Sequence, residues 1–155
     1  MKVDLSWNLI DSDTLHPDIF RGRFNASIYE PLRIDNLDLS HNLIRNLESN
    51  IFEHTQQIRA LLLGYNPLED INDATKHAIG GLKQLEILDL SHTNLEELPP
   101  GLFENLVKLS ELFLNGNNFK KVPGSLSMLS QSLEYLHLND NPIKIINAGS
   151  FAGEF

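Results

Sequence analysis

The sequence predicts an α/β solenoid, in which short parallel strands stack into one concave sheet and irregular or short-helical segments cover the convex side. Three observations support this prediction: a leucine pattern that recurs every 24 to 27 residues, a Leu-x-Leu alternation inside each copy, and an asparagine at one fixed place in most copies. The 155-residue chain accordingly contains 28 leucines and 16 asparagines. Alternation of period two is typical of a strand with one buried face, and a fixed repeat of this length is typical of stacked-repeat proteins.

Five copies fit the pattern Leu-x-x-Leu-x-Leu-x-x-Asn-x-Leu-x-x-Leu. They divide the chain into repeats 34–57, 58–84, 85–108, 109–132 and 133–155, after a partial copy at 1–13 that contains Val3, Leu5, Asn8 and Ile10. Residues 14–33 are predicted to be an insertion between the partial copy and the first full copy. Because no single copy can bury its own leucines, we expect one continuous array rather than separate domains.

A polar column is predicted to organise the turn that follows each strand. Its members are Asn8, Asn42, Asn66, Thr93, Asn117 and Asn141. An amide side chain can pair backbone groups inside a curved turn, where each unpaired buried group would cost roughly 1–3 kcal/mol. The hydroxyl of Thr93 can do only part of this, so we expect the third turn to be weaker.

Two repeats depart from the pattern on the convex side. In the 27-residue copy, Asp73 is predicted to be the N-cap of a short helix that stops at Gly80-Gly81. In copy 109–132, Ser127 replaces a convex phenylalanine. We expect the neighbouring residues Leu126, Met128 and Leu129 to fill the space.

The copy Leu85–Lys108, LEILDLSHTNLEELPPGLFENLVK, resembles the 24-residue typical subclass of the leucine-rich repeat family, with Pro99, Phe103 and Leu106 in the expected convex places. The phrases LDLSHN and LDLSHT are similar to those of arthropod Toll-like and chaoptin-like extracellular domains. The resemblance covers nearly the whole chain and implies a leucine-rich repeat solenoid. It also implies a non-catalytic protein–protein interaction module, part of an extracellular or cell-surface adhesion or recognition receptor.

Both ends of the chain cut across the repeat pattern. Residue 1 falls at the second position of a copy, and the last copy stops at Phe155, one residue short of 24. Solenoids need capping repeats to cover their core, so we expect a fragment whose caps are missing. The resemblance implies that extracellular members keep their cysteines mainly in the caps, which makes the absence of cysteine here compatible with an extracellular location.

Composition and motifs argue against several functions. The formal charge of −9 disfavours nucleic acid and anionic membrane surfaces, and the longest apolar run, Ala60–Leu63, is far too short to insert into a membrane. The six histidines show no spacing that a metal prefers, and the Ser-His pairs at 40–41 and 91–92 arise from the repeat itself. We therefore expect no enzyme activity, no metal and no cofactor.

The variable positions that flank the strand leucines are predicted to form a concave binding face. Five apolar residues on four adjacent strands stand where solvent is expected: Leu62, Tyr65, Ile87, Phe113 and Tyr135. Exposed apolar groups of this kind often mark an interaction site, here for a protein ligand or a homophilic partner. The alternative is that they are ordinary surface residues, or that another segment of the full protein covers them.

Asn25-Ala26-Ser27 is an N-glycosylation sequon inside the predicted insertion. A glycan at Asn25 would suit a membrane-associated or secreted glycoprotein whose anchor lies outside this segment. With so many asparagines, however, a sequon can also arise by chance. The alternative function is a cytoplasmic leucine-rich repeat scaffold or regulatory subunit, which would leave Asn25 unmodified.

Overall fold

The computed structural model describes residues 1–129 and 131–151, and its main element is a six-stranded parallel sheet. The strands in spatial order are β1 (Lys2–Asp4), β4 (Asn36–Asp38), β5 (Ala60–Leu62), β6 (Ile87–Asp89), β7 (Glu111–Phe113) and β8 (Tyr135–His137). Each strand comes from the Leu-x-Leu segment of one copy, and neighbours in space are also consecutive copies in sequence. The predicted α/β solenoid with a parallel sheet is therefore confirmed.

The strand register places the same leucine of every copy in one buried row. Leu37 pairs with Leu61, which pairs in turn with Leu88, and the row continues through Leu112 to Leu136. The first four of these side chains are 0 % exposed. With the other leucines of the pattern they form one continuous core, which no single repeat could build alone.

In the described part of the chain, the convex side contains one α-helix and two 3-10 helices. The 3-10 helices are Pro17–Phe20 and Gly124–Leu129, and the α-helix is α1 (Asp73–Gly80). The prediction of Asp73 as N-cap was wrong: the cap is Asn72, which has an extended backbone and accepts a hydrogen bond from the Thr75 N–H, while Asp73 is already in the helix. The predicted stop is found, since α1 ends at Gly80 and Gly81 follows as the C-cap.

The segment 14–33 has two parts with different roles. Leu15 and Phe20 are buried, and the Phe20 ring lies 6.1 Å from that of Phe52, so this half supplies the convex core of the first copy. The second half forms an antiparallel hairpin of β2 (Arg23–Asn25) and β3 (Ile28–Glu30) that is exposed along its whole length. The extra length predicted for 14–33 therefore resides mainly in an exposed hairpin.

The convex side of repeat 109–132 is filled by fewer residues than we expected. Leu126 and Leu129 are 4 % and 1 % exposed, in agreement with the expectation. Met128 is 58 % exposed, so its predicted contribution to the core was wrong. Within the 3-10 helix, Leu126 and Leu129 are the buried residues. Met128 is consequently a surface residue on the side of the repeat opposite the sheet.

Candidate functional site: the concave face

Asparagines in the turns connect each repeat to the one before it. Asn66 is representative: its Nδ2 donates to the carbonyls of Leu39 and Leu63 at 2.9 and 3.0 Å, and its Oδ1 accepts from the N–H of Ile44 at 3.0 Å. Asn42, Asn117 and Asn141 make the equivalent bonds to their own preceding copies. Asn8 lies at the exposed edge of the sheet and donates within its own turn.

Thr93 makes fewer connections between repeats. Its hydroxyl lies within hydrogen-bond distance of the Leu90 carbonyl of its own turn (2.7 Å) and of Oδ1 of Asn117 in the next repeat (3.1 Å), but it makes no bond to the described residues of the preceding repeat. In the regular turns, the asparagine Oδ1 accepts from an N–H of the preceding repeat. The corresponding N–H here is that of Leu68, and it bonds instead to the Asn66 carbonyl at 2.9 Å. Glu69 and Asn94, next to this junction, adopt left-handed backbone conformations with φ of 61° and 62°. The backbone thus rearranges locally where the amide is absent.

The variable positions form three columns across the six strands, as the pairing register shows. The first column contains Lys2, Asn36, Ala60, Ile87, Glu111 and Tyr135, and the second contains Asp4, Asp38, Leu62, Asp89, Phe113 and His137. The third, in the turns after the strands, contains Trp7, His41, Tyr65, His92, Gly116 and Asp140. These columns together are the concave face.

The five predicted partner-binding residues all lie on this face, from β5 to β8. Tyr65 and Tyr135 are 47 % and 58 % exposed, while Leu62, Ile87 and Phe113 are half-buried. They do not form an unbroken apolar strip, because Asp89 lies between Leu62 and Phe113 in the second column. Phe113 instead stacks on His137, with ring centroids 4.4 Å apart.

Four side chains of the third column stack face to face in what we call the ring ladder: Trp7, His41, Tyr65 and His92. Successive ring centroids are 3.7, 4.1 and 4.2 Å apart, with interplanar angles of 11° to 14°. All four residues have left-handed backbones, with φ between 52° and 58°, so each side chain leaves its turn in the same direction.

Backbone hydrogen bonds set the spacing of the ring ladder. The N–H of His41 donates to the Gly64 carbonyl at 2.9 Å, and Gly64 directly precedes Tyr65, the next ring of the ladder. In the same way, the N–H of Tyr65 donates to the Ser91 carbonyl, just before His92, at 2.8 Å. Sequence reasoning placed these residues in one column but did not predict that they stack. The available signal was the unbroken run of ring residues at one position of four consecutive copies. Stacked pairs of this kind contribute about 0.5–1.5 kcal/mol each beyond simple burial.

Gly116 marks the end of the ring ladder. A Cβ atom at this glycine would lie only 2.2 Å from Cε1 of His92, so the imidazole occupies the space that a side chain would need. We expect Gly116→Ala to displace the His92 ring and disturb its stacking on Tyr65. The change should appear in the NMR ring-current shifts of His92 and Tyr65, together with a lower melting temperature. Gly101→Ala is the matched control, because Gly101 has a similar left-handed backbone (φ 73° against 67° at Gly116) and a Cβ there meets no atom closer than 3.5 Å; equal effects of the two variants would contradict the assignment.

Three carboxylates of the second column are held by serines two residues later. The Oδ1 atom of Asp38 accepts from the N–H and hydroxyl of Ser40 at 2.9 and 2.6 Å. The same arrangement is found at Asp4 with Ser6, and Asp89 accepts from the N–H of Ser91 at 2.8 Å. The bonds from Ser6 lower the pKa of Asp4 below its ordinary value. The Asp-x-Ser spacing was the signal for this link, and sequence reasoning missed it.

Within the described residues, no group of three or more His, Cys, Asp or Glu side chains could hold a metal ion. The same part of the chain contains no helix with the length and apolar character needed to cross a membrane. The concave face presents aromatic rings, apolar side chains and carboxylates held by serines. Such groups suit non-covalent recognition.

A curved stack of three-residue parallel strands joined by asparagine-containing turns defines a leucine-rich repeat domain. The family described as "Leucine rich repeat" matches residues 69–119. Rabbit fibromodulin is 31 % identical over an alignment that covers 81 % of this chain and 79 % of that sequence. The chain belongs to the leucine-rich repeat family, as the resemblance implied.

Other relatives are longer than this chain. Human lumican is 30 % identical over an alignment that covers 91 % of this chain and 45 % of lumican. Chicken Toll-like receptor 2 type-1 is 32 % identical over 78 % of this chain and 15 % of the receptor. The chain therefore spans about half of human lumican and a small part of the receptor. A crystal structure of an internalin from Listeria monocytogenes superposes with a TM-score of 0.59 at 26 % identity, covering 76 % of this chain and 32 % of that one.

These relatives are non-enzymatic binding proteins, which confirms the prediction that this array is not an enzyme. Lumican and fibromodulin belong to the extracellular matrix and the Toll-like receptor to cell-surface receptors, and these relatives support a protein-interaction role for the chain. Toll-like receptors are thus among the relatives, while the likeness to arthropod chaoptin stays a prediction.

Proposed function

We propose that this chain is the ligand-binding part of an extracellular or cell-surface adhesion or recognition protein, and that it binds a protein on its concave face. The observation that carries the proposal is the concentration of exposed and half-exposed rings on one side of the sheet, from Trp7 through Tyr65 to Tyr135. Aromatic side chains dominate the energetics of protein interfaces, and a rigid repeat scaffold holds them in place at little entropic cost.

The apolar half of this face lies on β5 to β8, where Leu62, Ile87, Phe113 and Tyr135 alternate with two carboxylates, Asp89 and Glu111. Because Phe113 is stacked on His137, its ring is held in position before a partner arrives. The face is thus pre-organised for a folded or extended protein segment. The experiment is a binding screen of the purified chain against an array of extracellular matrix proteins and receptor ectodomains, repeated with the face variants described in the Discussion.

The extracellular location is the second part of the proposal, and the hairpin supports it. Asn25 ends β2 and is exposed, and Ala26 turns the chain in a left-handed conformation with φ 53°. The sequon therefore lies at the tip of an exposed turn, where a glycosyltransferase can reach it. The competing proposal, a cytoplasmic scaffold, rests on the absence of cysteine from the chain.

Secretion from an animal cell line is expected to yield a chain glycosylated at Asn25. Treatment with an N-glycosidase should then increase electrophoretic mobility, and peptide mass spectrometry should place the glycan on this residue. Asn25→Gln and Ser27→Ala should both remove the glycan, while Asn50→Gln, outside any sequon, should leave it. A secreted chain without a glycan would contradict this part of the proposal.

A further inference from the structure

The concave face has an excess of negative charge. Across its three columns, all within the described part of the chain, the carboxylates are Asp4, Asp38, Asp89, Glu111 and Asp140, and the ammonium group is Lys2. With histidine neutral, the formal charge of the face is −4, that is 1 minus 5. None of the ion pairs formed by the described residues involves these five carboxylates. Their charge is therefore directed outward, to whatever occupies the face.

The serine-held carboxylates are oriented for a further contact. In Asp4, Asp38 and Asp89 the Oδ1 atom accepts from serine, while Oδ2 accepts no hydrogen bond from any described residue. Strands of one sheet are about 4.8 Å apart, so Asp4 and Asp38 present parallel carboxylates on neighbouring strands. A carboxylate with one oxygen fixed and one free loses little rotamer freedom when it pairs with a cation.

Each of these aspartates is also close in sequence to the ring ladder. Asp4 precedes Trp7 by three residues, Asp38 precedes His41 and Asp89 precedes His92 at the same spacing. Three repeats thus combine a fixed carboxylate with an aromatic ring. This is a combination that suits a guanidinium or ammonium group, through charged hydrogen bonds to the carboxylate and contact of the side-chain stem with the exposed ring edges, since the ring faces stack on one another.

We propose that the occupant of the concave face is a basic segment of the partner protein, rich in arginine and lysine. This inference rests on the proposed function and specifies its partner. Cationic side chains pair with Asp4, Asp38 and Asp89 beside the ring ladder, and apolar residues of the segment pack against Phe113 and its neighbours. Two concave faces of this chain would repel each other, so charge opposes a homophilic contact of face with face.

The test uses the full chain and a fluorescent 12-residue peptide of arginine, lysine and leucine, with binding followed by fluorescence anisotropy at several salt concentrations. The key variant is the double substitution D38N and D89N. All chains for this test are produced in bacteria, because each substitution creates an Asn-Leu-Ser sequon that an animal cell would glycosylate. Asparagine keeps the oxygen that accepts from serine, so the turns should fold normally while two charges are removed. The matched control is D70N with E97Q, which removes two charges from exposed residues outside the three columns.

We expect the wild-type chain and the control to bind the peptide with similar affinity, and D38N with D89N to bind roughly tenfold more weakly. A version of the peptide with glutamine in place of arginine and lysine should not bind. Failure of the wild-type chain to bind, or equal losses in the two double variants, would overturn the inference.

The same variants separate this inference from the proposed function when they are tested against a protein identified in the screen. Weakening by D38N with D89N and by the Phe113 variants, Phe113→Asp and Phe113→Ala, supports both. Weakening by the Phe113 variants alone leaves the concave face as a binding site but rejects the basic segment. No effect from either set rejects both.

Discussion

Asn117→Ala is expected to lower the free energy of unfolding by about 3 kcal/mol, since loss of one buried hydrogen-bonding partner costs roughly 1–3 kcal/mol and this side chain has several. Its Nδ2 donates to the carbonyls of Leu90 and Leu114 at 2.8 and 3.0 Å. Its Oδ1 accepts from the N–H groups of Thr93 and Leu95, each at 3.0 Å. Because Asn117 is 3 % exposed, water cannot readily replace these bonds. Urea unfolding monitored by far-ultraviolet circular dichroism measures the effect.

Two further variants control this prediction. Asn118→Ala, at the exposed neighbouring position, should change stability by less than about 0.5 kcal/mol. Thr93→Asn should instead raise the free energy of unfolding by about 1 kcal/mol, because an amide can bond to the preceding repeat and the threonine hydroxyl does not. If Asn117→Ala and Asn118→Ala had equal effects, the structural role of the asparagine column would be contradicted.

Phe113→Asp is expected to weaken binding of the partner at least about 30-fold, since a central aromatic contact at an interface is worth about 2 kcal/mol or more. The ring is half-exposed and stacks on His137, so its loss should leave the fold intact. Surface plasmon resonance measures the affinity for a protein identified in the binding screen, and thermal unfolding checks the fold.

Two other substitutions isolate the cause of that loss. Phe113→Ala removes the ring without adding a charge and should retain most of the effect. Met128→Asp places the same new charge in the same repeat but on the convex 3-10 helix, where Met128 is 58 % exposed, and should leave affinity unchanged. Equal losses from Phe113→Asp and Met128→Asp would place the binding site elsewhere.

The features that the sequence predicted well are those that recur with the repeat. Leu88 and Leu112 could be assigned to the core because each copy gives the same position the same residue, and burial of a shared face enforces that pattern. The concave columns followed from the same register. The composition of the candidate face, including Tyr65 and Phe113, was therefore predictable before any coordinates, although its ability to bind a partner stays a proposal.

Features that depend on local backbone conformation were not predictable in the same way. Asn72 and Asp73 are both good capping residues, and only the extended backbone of Asn72 decides between them. The ring ladder requires non-glycine residues in the left-handed conformation, which Trp7 and Tyr65 adopt although bulky aromatic residues seldom do. In segment 14–33, loss of the repeat pattern hid the fact that Phe20 belongs to the core.

NMR chemical-shift mapping of the isotope-labelled chain, with a partner identified in the binding screen, tests directly whether the concave face is the binding surface. We expect the largest perturbations on the strand and turn residues of β1 and β4 to β8, including Tyr65, Phe113 and Tyr135. Perturbations confined to the convex side, on α1 and the Gly124–Leu129 3-10 helix, would contradict it.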